Sequence, residues 1–237
     1  MSAAQKPGRG APPYSRWVNR RLGRLIAVAA YVLHLTPNAV TGISALFTFA
    51  GLTLVALVPP VWWLGLVVGA CLILGYALDS ADGQLARITG TGSRAGEWLD
   101  HMVDVTKTCV LHAVVLISFF RFGGIPGEPF LLVPLGYLTV SVVFFFGIML
   151  IDQLRRAAAD AGAPPRPGNG GGLLQTLVAL PADYGILCLV FLFFGWRPAF
   201  VVLYALLFLA HTVVLGGTLV KWWRDLAALD AGSRAAR

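Results

Sequence analysis

Charge is what this sequence has least of. Asp, Glu, Lys and Arg make up 12% of its 237 residues, against roughly 25% in a soluble domain. That shortage excludes an ordinary water-facing surface. Cysteine is scarce too: Cys71, Cys109 and Cys188 sit singly in apolar stretches, and no pair has metal-ligand spacing. A disulfide framework and a cysteine zinc site are excluded, and each thiol reads as a small hydrophobe. Of the four histidines, His34, His112 and His211 lie alone in apolar stretches and read as hydrogen-bonded core residues. Acidic residues number 11 against 18 basic ones, for a net charge of +7. The basic residues flank apolar segments, and no aromatic-basic platform accompanies them. They therefore point to topology and anionic lipid, with no nucleic-acid partner.

What the chain has in quantity is apolar residues, 57% of the total, gathered in runs. A helix crossing a bilayer needs about 20 of them in succession. The sequence predicts an all-α integral membrane fold with six spanning segments, near 38–58, 61–86, 94–120, 129–154, 174–195 and 198–220. Pro59-Pro60 separates the first pair, Gly123-Gly124 follows the third, and a Gly- and Pro-rich loop over 162–172 joins the fourth to the fifth. No internal repeat of the transporter kind is present.

Residues 1–14 are rich in Gly, Pro and basic side chains and read as a disordered tail. Residues 15–225 form the membrane domain, and 226–237 a C-terminal tail. Ala27-Val28-Ala29 mimics a signal-peptide cleavage site, but Leu25-Ile26 is too short for a signal core. Val18, Leu22, Leu25, Ala29 and Val32 recur at helical spacing opposite Arg16, Arg20 and Arg24, the pattern of an amphipathic helix lying on a membrane surface. Six cations precede the first span, Arg87 and Arg94 flank the second loop, and Arg155, Arg156 and Arg166 follow the fourth span. Lys221, Arg224, Arg234 and Arg237 fill the tail, while the opposite side holds Arg121 and Arg197 alone. The positive-inside rule puts both termini in the cytoplasm, in a multi-pass protein of the cell membrane.

The informative segment is Leu78-Asp-Ser-Ala-Asp-Gly-Gln-Leu-Ala-Arg87, followed by Gly96-Glu-Trp-Leu-Asp-His-Met-Val-Asp104. Asp79 and Asp82 are three apart at the end of the second span, and Asp100 and Asp104 four apart at the start of the third. Each pair shares a helix face, and a turn containing Gly90 and Gly92 lets the two faces meet. Each carboxylate costs about 2.5–3.5 kcal/mol in the hydrocarbon on insertion scales, and no lysine or arginine pattern nearby would neutralise all four. Two divalent cations would, and oxygen ligands favour Mg2+ or Mn2+ over zinc. Paired metals suit phosphoryl transfer. Helix capping in water would explain Asp79 or Asp104 alone, but not four aspartates in register with Gly83, Ala86, Arg87 and Gly96.

The pattern Asp79-x2-Asp82-Gly83-x2-Ala86-Arg87-x8-Gly96-x3-Asp100-x3-Asp104 resembles the signature of the CDP-alcohol phosphotransferase family at every fixed position. Pro37-Asn38-x2-Thr41 is similar to that family's start of the first span. The resemblance implies six spanning helices behind an amphipathic surface helix, a homodimer, and a CDP-alcohol donor, CDP-diacylglycerol being the expected one. It further implies that Pro37, Asn38, Thr41, Gly83, Ala86 and Arg87 form the nucleotide pocket. Asp79, Asp82, Asp100 and Asp104 would hold the metal. Asp104 would also take the proton of the acceptor hydroxyl as it attacks the β-phosphorus, releasing CMP.

Acceptor contacts are assigned to Arg155, Arg156, Lys107 and His101. Lys107 serves equally well as a partner for Asp104, and the arginine pair equally well as a topological anchor. The Asp100-His101 pairing resembles the aminoalcohol branch of the family. Inositol-phosphate and glycerol-phosphate members commonly carry a basic residue after the fourth aspartate, where this chain has Val105. Asp183 needs a partner if it lies in the bilayer. A rival of another class is a cation channel or transporter using the aspartates as an ion site; a catalytically silent scaffold would not need the acidic quartet.

Overall fold

A computed structural model describes residues 12–160 and 179–235. The expected disordered tail over 1–14 and the loop over 162–172 lie wholly or mostly outside the described residues.

Among the described residues every regular element is helical. A short π-helical turn, Ser15–Asn19, leads into α1 (Arg20–Val32). Then come α2 (Pro37–Leu57), α3 (Trp62–Thr89), α4 (Arg94–Phe122), α5 (Leu132–Asp160), the short α6 (Tyr184–Val190) and α7 (Arg197–Ala235). Five helical stretches are long and apolar enough to cross a membrane: Pro37–Leu57, Trp62–Thr89, Arg94–Phe122, Glu128–Asp160 and Arg197–Asp230. They match five of the six expected spans.

The remaining span, expected over 174–195, falls partly outside the described residues. Its described part, Tyr184–Phe193, runs antiparallel to α3. Tyr184 meets Tyr76 edge-on with ring centroids 5.1 Å apart, Leu192 packs on Gly69, and Gly195 lies against Val61 and Trp62. The helix tightens to a 3-10 turn at Phe191–Phe193 before reversing into α7. The α7 helix continues without a break through the segment expected to be a separate tail over 226–237, as far as Ala235.

Local chemistry sets the helix boundaries. Thr36 caps α2, its hydroxyl accepting from the Ala39 amide at 3.2 Å, with Pro37 in the first turn. Gly90, with φ of +67°, ends α3 in the left-handed conformation that glycine adopts at little cost. Ser93 then caps α4 through the Gly96 amide at 3.0 Å. These three caps place the N-terminus of α2, the C-terminus of α3 and the N-terminus of α4 at one end of the bundle.

Lipid offers little hydrophobic drive between helices, so close approach of small residues matters more. A methyl group on Gly75 would collide with Thr48 and lie 3.2 Å from the Ser44 carbonyl oxygen. The Ser44 hydroxyl donates to the Gly75 carbonyl at 2.8 Å. The apolar core joins Leu64, Val68 and Leu72 of α3, Leu111, Val115 and Phe119 of α4, and Phe200 and Tyr204 of α7.

The α1 helix has the expected exposed apolar residues, Leu22, Leu25 and Val32. A third face, not foreseen, holds it to α3: Asn19, Gly23, Ala27 and Ala30 are buried. Gly23 faces Ser80 and Gln84 so closely that a Cβ would need both to shift. The Asn19 side-chain amide donates to the Tyr76 carbonyl at 3.0 Å.

Asp183 finds its partners in main chain. It caps α6 through the Gly185 amide at 3.0 Å and accepts from the amides of Tyr14 at 2.8 Å and Ser15 at 3.3 Å.

The histidines divide. His112 bridges Tyr204 at 2.6 Å and Ser141 at 3.0 Å, as a satisfied core residue. His211 is buried edge-on against Tyr137 and Phe144, and its Nε2 has no hydrogen-bond partner among the described residues. His34 departs from expectation: it is exposed, with φ of +54°, in the turn after α1.

Candidate active site

The converging ends of α2, α3 and α4 enclose a cleft of about 930 Å³. Its lining includes Pro37, Asn38 and Thr41 from α2, Asp82, Gly83, Ala86 and Arg87 from α3, and Gly96, Asp100 and His101 from α4. All six residues assigned from the sequence to a nucleotide pocket therefore face one space. A smaller cavity of about 180 Å³ adjoins it, lined by Asp79, Ser80, Gln84 and Arg20 together with Asp82, Gly83, Arg87 and Asp100. The α1 helix thus contributes Arg20 to the rim, a residue not selected for the site from the sequence.

The carboxylates are held in distinct ways. Asp82 is 5% exposed; it accepts from the Thr41 hydroxyl at 2.5 Å and from the Gly83 amide at 2.5 Å. The Asp82 contact ties the start of α2 to the acidic face of α3; the same hydroxyl lies 3.1 Å from the Pro37 carbonyl, which shares its one hydrogen. Asp79 and Asp104 meet across the hairpin through Lys107, whose Nζ lies 2.5 Å from one and 3.1 Å from the other. Asp100, His101 and Asp104 bring one ligand atom each within 4.8 Å of one another. This donor set, mostly carboxylate oxygen and partly open to the cleft, fits a hard divalent cation.

Two of the residues assigned to the acceptor, Lys107 and Arg155, do not line the cleft. Lys107 is 4% exposed: three residues beyond Asp104, it points back along the same face into the carboxylates. It gives the acidic cluster a cationic partner, though one charge among four. Arg155 turns away and pairs with Asp225 of α7 at 2.9 Å. Its neighbour Arg156 lines the cleft and reaches Glu97 at 3.4 Å. Adjacent helical residues point about 100° apart, so only one of the two can face the site.

Glu97 was missed in the sequence. It lies on the cleft wall between Arg156 and His101, 4.0 Å from the latter. Its signal was the four-residue spacing from His101, inside a segment already singled out.

Gly83 has no helix packed on it: a Cβ there would meet only the Arg87 guanidinium, at 3.6 and 3.8 Å. At Gly96 a Cβ would come within 3.2 Å of the Asn38 and Ser93 side-chain oxygens, so the missing side chain admits Asn38 to the wall.

An ion pathway along the bundle axis has no support here. The aspartates gather at one end, and Leu72, Leu111 and Val115 belong to a buried apolar cluster among the described residues.

Comparison with known proteins agrees with this geometry. The profile of the CDP-alcohol phosphatidyltransferase family matches residues 34–223. Ethanolaminephosphotransferase 1 from Homo sapiens and from Mus musculus are each 36% identical over 87 residues. That alignment covers 37% of this chain and only 21% of theirs, so the chain spans about a fifth of the length of these curated relatives. Among solved structures, Mycobacterium tuberculosis phosphatidylinositol phosphate synthase with CDP-DAG bound superposes with a TM-score of 0.56 at 23% identity. The match covers 86% of this chain and 94% of that one. The same enzyme in complex with manganese and citrate gives a TM-score of 0.51 at 21% identity, covering 85% and 88%. At these identities the likeness is one of fold.

Proposed function

The chain belongs to the CDP-alcohol phosphatidyltransferase family, and we propose that it transfers a phosphoalcohol group from a CDP-alcohol, CDP-diacylglycerol being the leading donor, to an acceptor hydroxyl. The observation that carries the reading is the meeting of three helix ends. Asn38 and Thr41, Gly83 and Arg87, and Asp100 share one cleft with the acidic hairpin. The solved relative with CDP-DAG bound supports a donor that contains a CDP group, which this cleft suits.

The residues divide the work. Gly83 and Ala86 leave room for the nucleotide beside the backbone. Arg87 counters donor phosphate charge, as a guanidinium does well. Asp79, Asp82, Asp100 and Asp104 would hold Mg2+ or Mn2+, two ions by our reading, which would stabilise charge building on the phosphate oxygens. Asp104 would accept the acceptor's hydroxyl proton. The acceptor oxygen bonds to the β-phosphorus, the bond from that phosphorus to CMP breaks, and CMP leaves. In this reading the exposed apolar residues of α1 rest on the bilayer, and the arginine-rich end carrying the cleft faces the cytoplasm.

The test is direct. Purified protein given Mg2+ or Mn2+ and a CDP-alcohol is expected to release CMP when the matching alcohol is present. Metal binding without CMP release across CDP-diacylglycerol and soluble CDP-alcohols, with a full panel of acceptors, would refute the transferase reading.

Arg156, which lines the cleft with Arg87 and Arg94, is the cation we assign to an anionic acceptor. Arg156→Lys keeps the charge but loses the forked geometry, and acceptor KM is expected to rise about tenfold, the scale of one charge-assisted hydrogen bond. Arg155→Lys serves as the control, since its contact is with Asp225. Donor KM is the internal reference. An acceptor KM unmoved by Arg156→Lys would remove this residue from the acceptor site.

A further inference from the structure

Lys107 joins both helices of the acidic hairpin and a third helix as well. Its Nζ contacts Asp79 on α3 at 2.5 Å, Asp104 on its own helix at 3.1 Å, and the Ser44 hydroxyl on α2 at 3.4 Å. An ammonium has three donors and no acceptor, and these contacts account for all three. Such deep burial of a lysine within a spanning helix is costly unless it is paired. Helix packing alone would be served by an apolar side chain of similar length, so the charge requires its own explanation.

We propose that Lys107 competes with a divalent cation for Asp79 and Asp104, and so sets how tightly the cleft holds its metal. The inference rests on the metal reading above. Asp79 and Asp104 are two of the four carboxylates assigned to the metal, and a cation held against one oxygen of each weakens their attraction for a second cation. In this proposal an incoming ion loosens or displaces Nζ from at least one of the two. Ser44 keeps hold of the displaced ammonium: its hydroxyl is fixed by donating to the Gly75 carbonyl at 2.8 Å, which leaves oxygen lone pairs for the N–H it already accepts. Competition of this kind makes metal occupancy moderate and reversible, and leaves anionic donor phosphates to complete the site.

Mn2+ affinity, measured without any CDP substrate, is the readout. Wild type, Lys107→Met, Lys107→Gln and Lys107→Arg are stripped with chelator and titrated with Mn2+, following the free ion by electron paramagnetic resonance. The Met and Gln variants are expected to bind Mn2+ at least about tenfold more tightly, equivalent to about 1.4 kcal/mol. Their stripped forms should melt below wild type, because like charges then face each other without a counter-cation. Lys107→Arg keeps the charge and should gain no affinity. Equal or weaker Mn2+ binding by both neutral variants would overturn the proposal, as would their failure to fold even with Mn2+ supplied. Folding only with Mn2+ would support it, since the metal then replaces the missing cation. Wild-type protein that binds no Mn2+ would overturn both this proposal and the metal reading. Wild-type binding with no tightening in the variants would overturn this proposal alone.

Discussion

Asp100→Asn is expected to reduce CMP release by on the order of 10²–10³-fold or more, while the protein still inserts and folds. Removing one preorganised group that stabilises transition-state charge costs about that much in well-characterised enzymes. A carboxylate that also holds a metal should cost at least as much. Asp100 lines both the main cleft and the smaller cavity beside it, and its ligand oxygen lies near that of Asp104. Asparagine keeps the shape and removes the charge, and a neutral residue near the bilayer is easier to insert than a charged one. Asp79→Asn should be as inactive, but it also takes away the shorter of Lys107's two carboxylate contacts, so its loss has two causes. Asp100→Asn is therefore the cleaner variant. The measurement is CMP release with saturating Mg2+, alongside wild type in excess chelator. Full turnover in chelator, or wild-type rates from Asp100→Asn, would sink the metal-dependent mechanism.

The acidic hairpin was legible because its information is local. Asp79 and Asp82 at three apart, and Asp100 and Asp104 at four, must share a helix face. Gly90 and Gly92 announce the turn that brings the faces together. Other features depend on rotation or partner choice, which spacing does not encode. Arg155 and Arg156 are neighbours in sequence, yet one meets Asp225 near the far end of α7 and the other enters the cleft. Nothing local says which.

Lys107 could be placed beside Asp104 from its spacing, but its closer contact is Asp79, 28 positions away on another helix. The packing face of α1 escaped notice for a different reason. Gly23, Ala27 and Ala30 carry little hydropathy, so a search for apolar periodicity selected the larger residues that remain exposed. Small residues that allow close backbone approach are the actual contact. The segment over 174–195 was read as one uniform span. Its described part includes a seven-residue α-helix that tightens at Phe191, where Phe191 and Phe194 pack on Phe200 of α7 while Leu192 and Gly195 lie against the start of α3.

Gly83→Leu is expected to weaken CMP binding by about 10- to 100-fold without destabilising the bundle. A glycine in a spanning helix often serves close helix packing, and Gly75 illustrates that use, wedged against Thr48 and Ser44. Gly83 does not: the nearest atoms to a Cβ there are the Nη1 and Nη2 of Arg87, at ordinary contact distance. A leucine would therefore fit the helix but extend past its Cβ into the space bounded by Asp82, Ala86 and Arg87. Forcing extra carbons into an occupied site costs roughly 1–3 kcal/mol, and each 1.4 kcal/mol is a factor of ten in Kd. Helix propensity works the other way, since leucine is favoured over glycine by most of about 1 kcal/mol. Thermal stability should hold or rise while affinity falls, a combination that misfolding would not produce. Calorimetric titration of CMP into the purified variant, paired with its melting temperature, reads both. Unchanged CMP affinity in a folded Gly83→Leu protein would move the nucleotide away from this face of α3 and leave Arg87 without the role assigned to it.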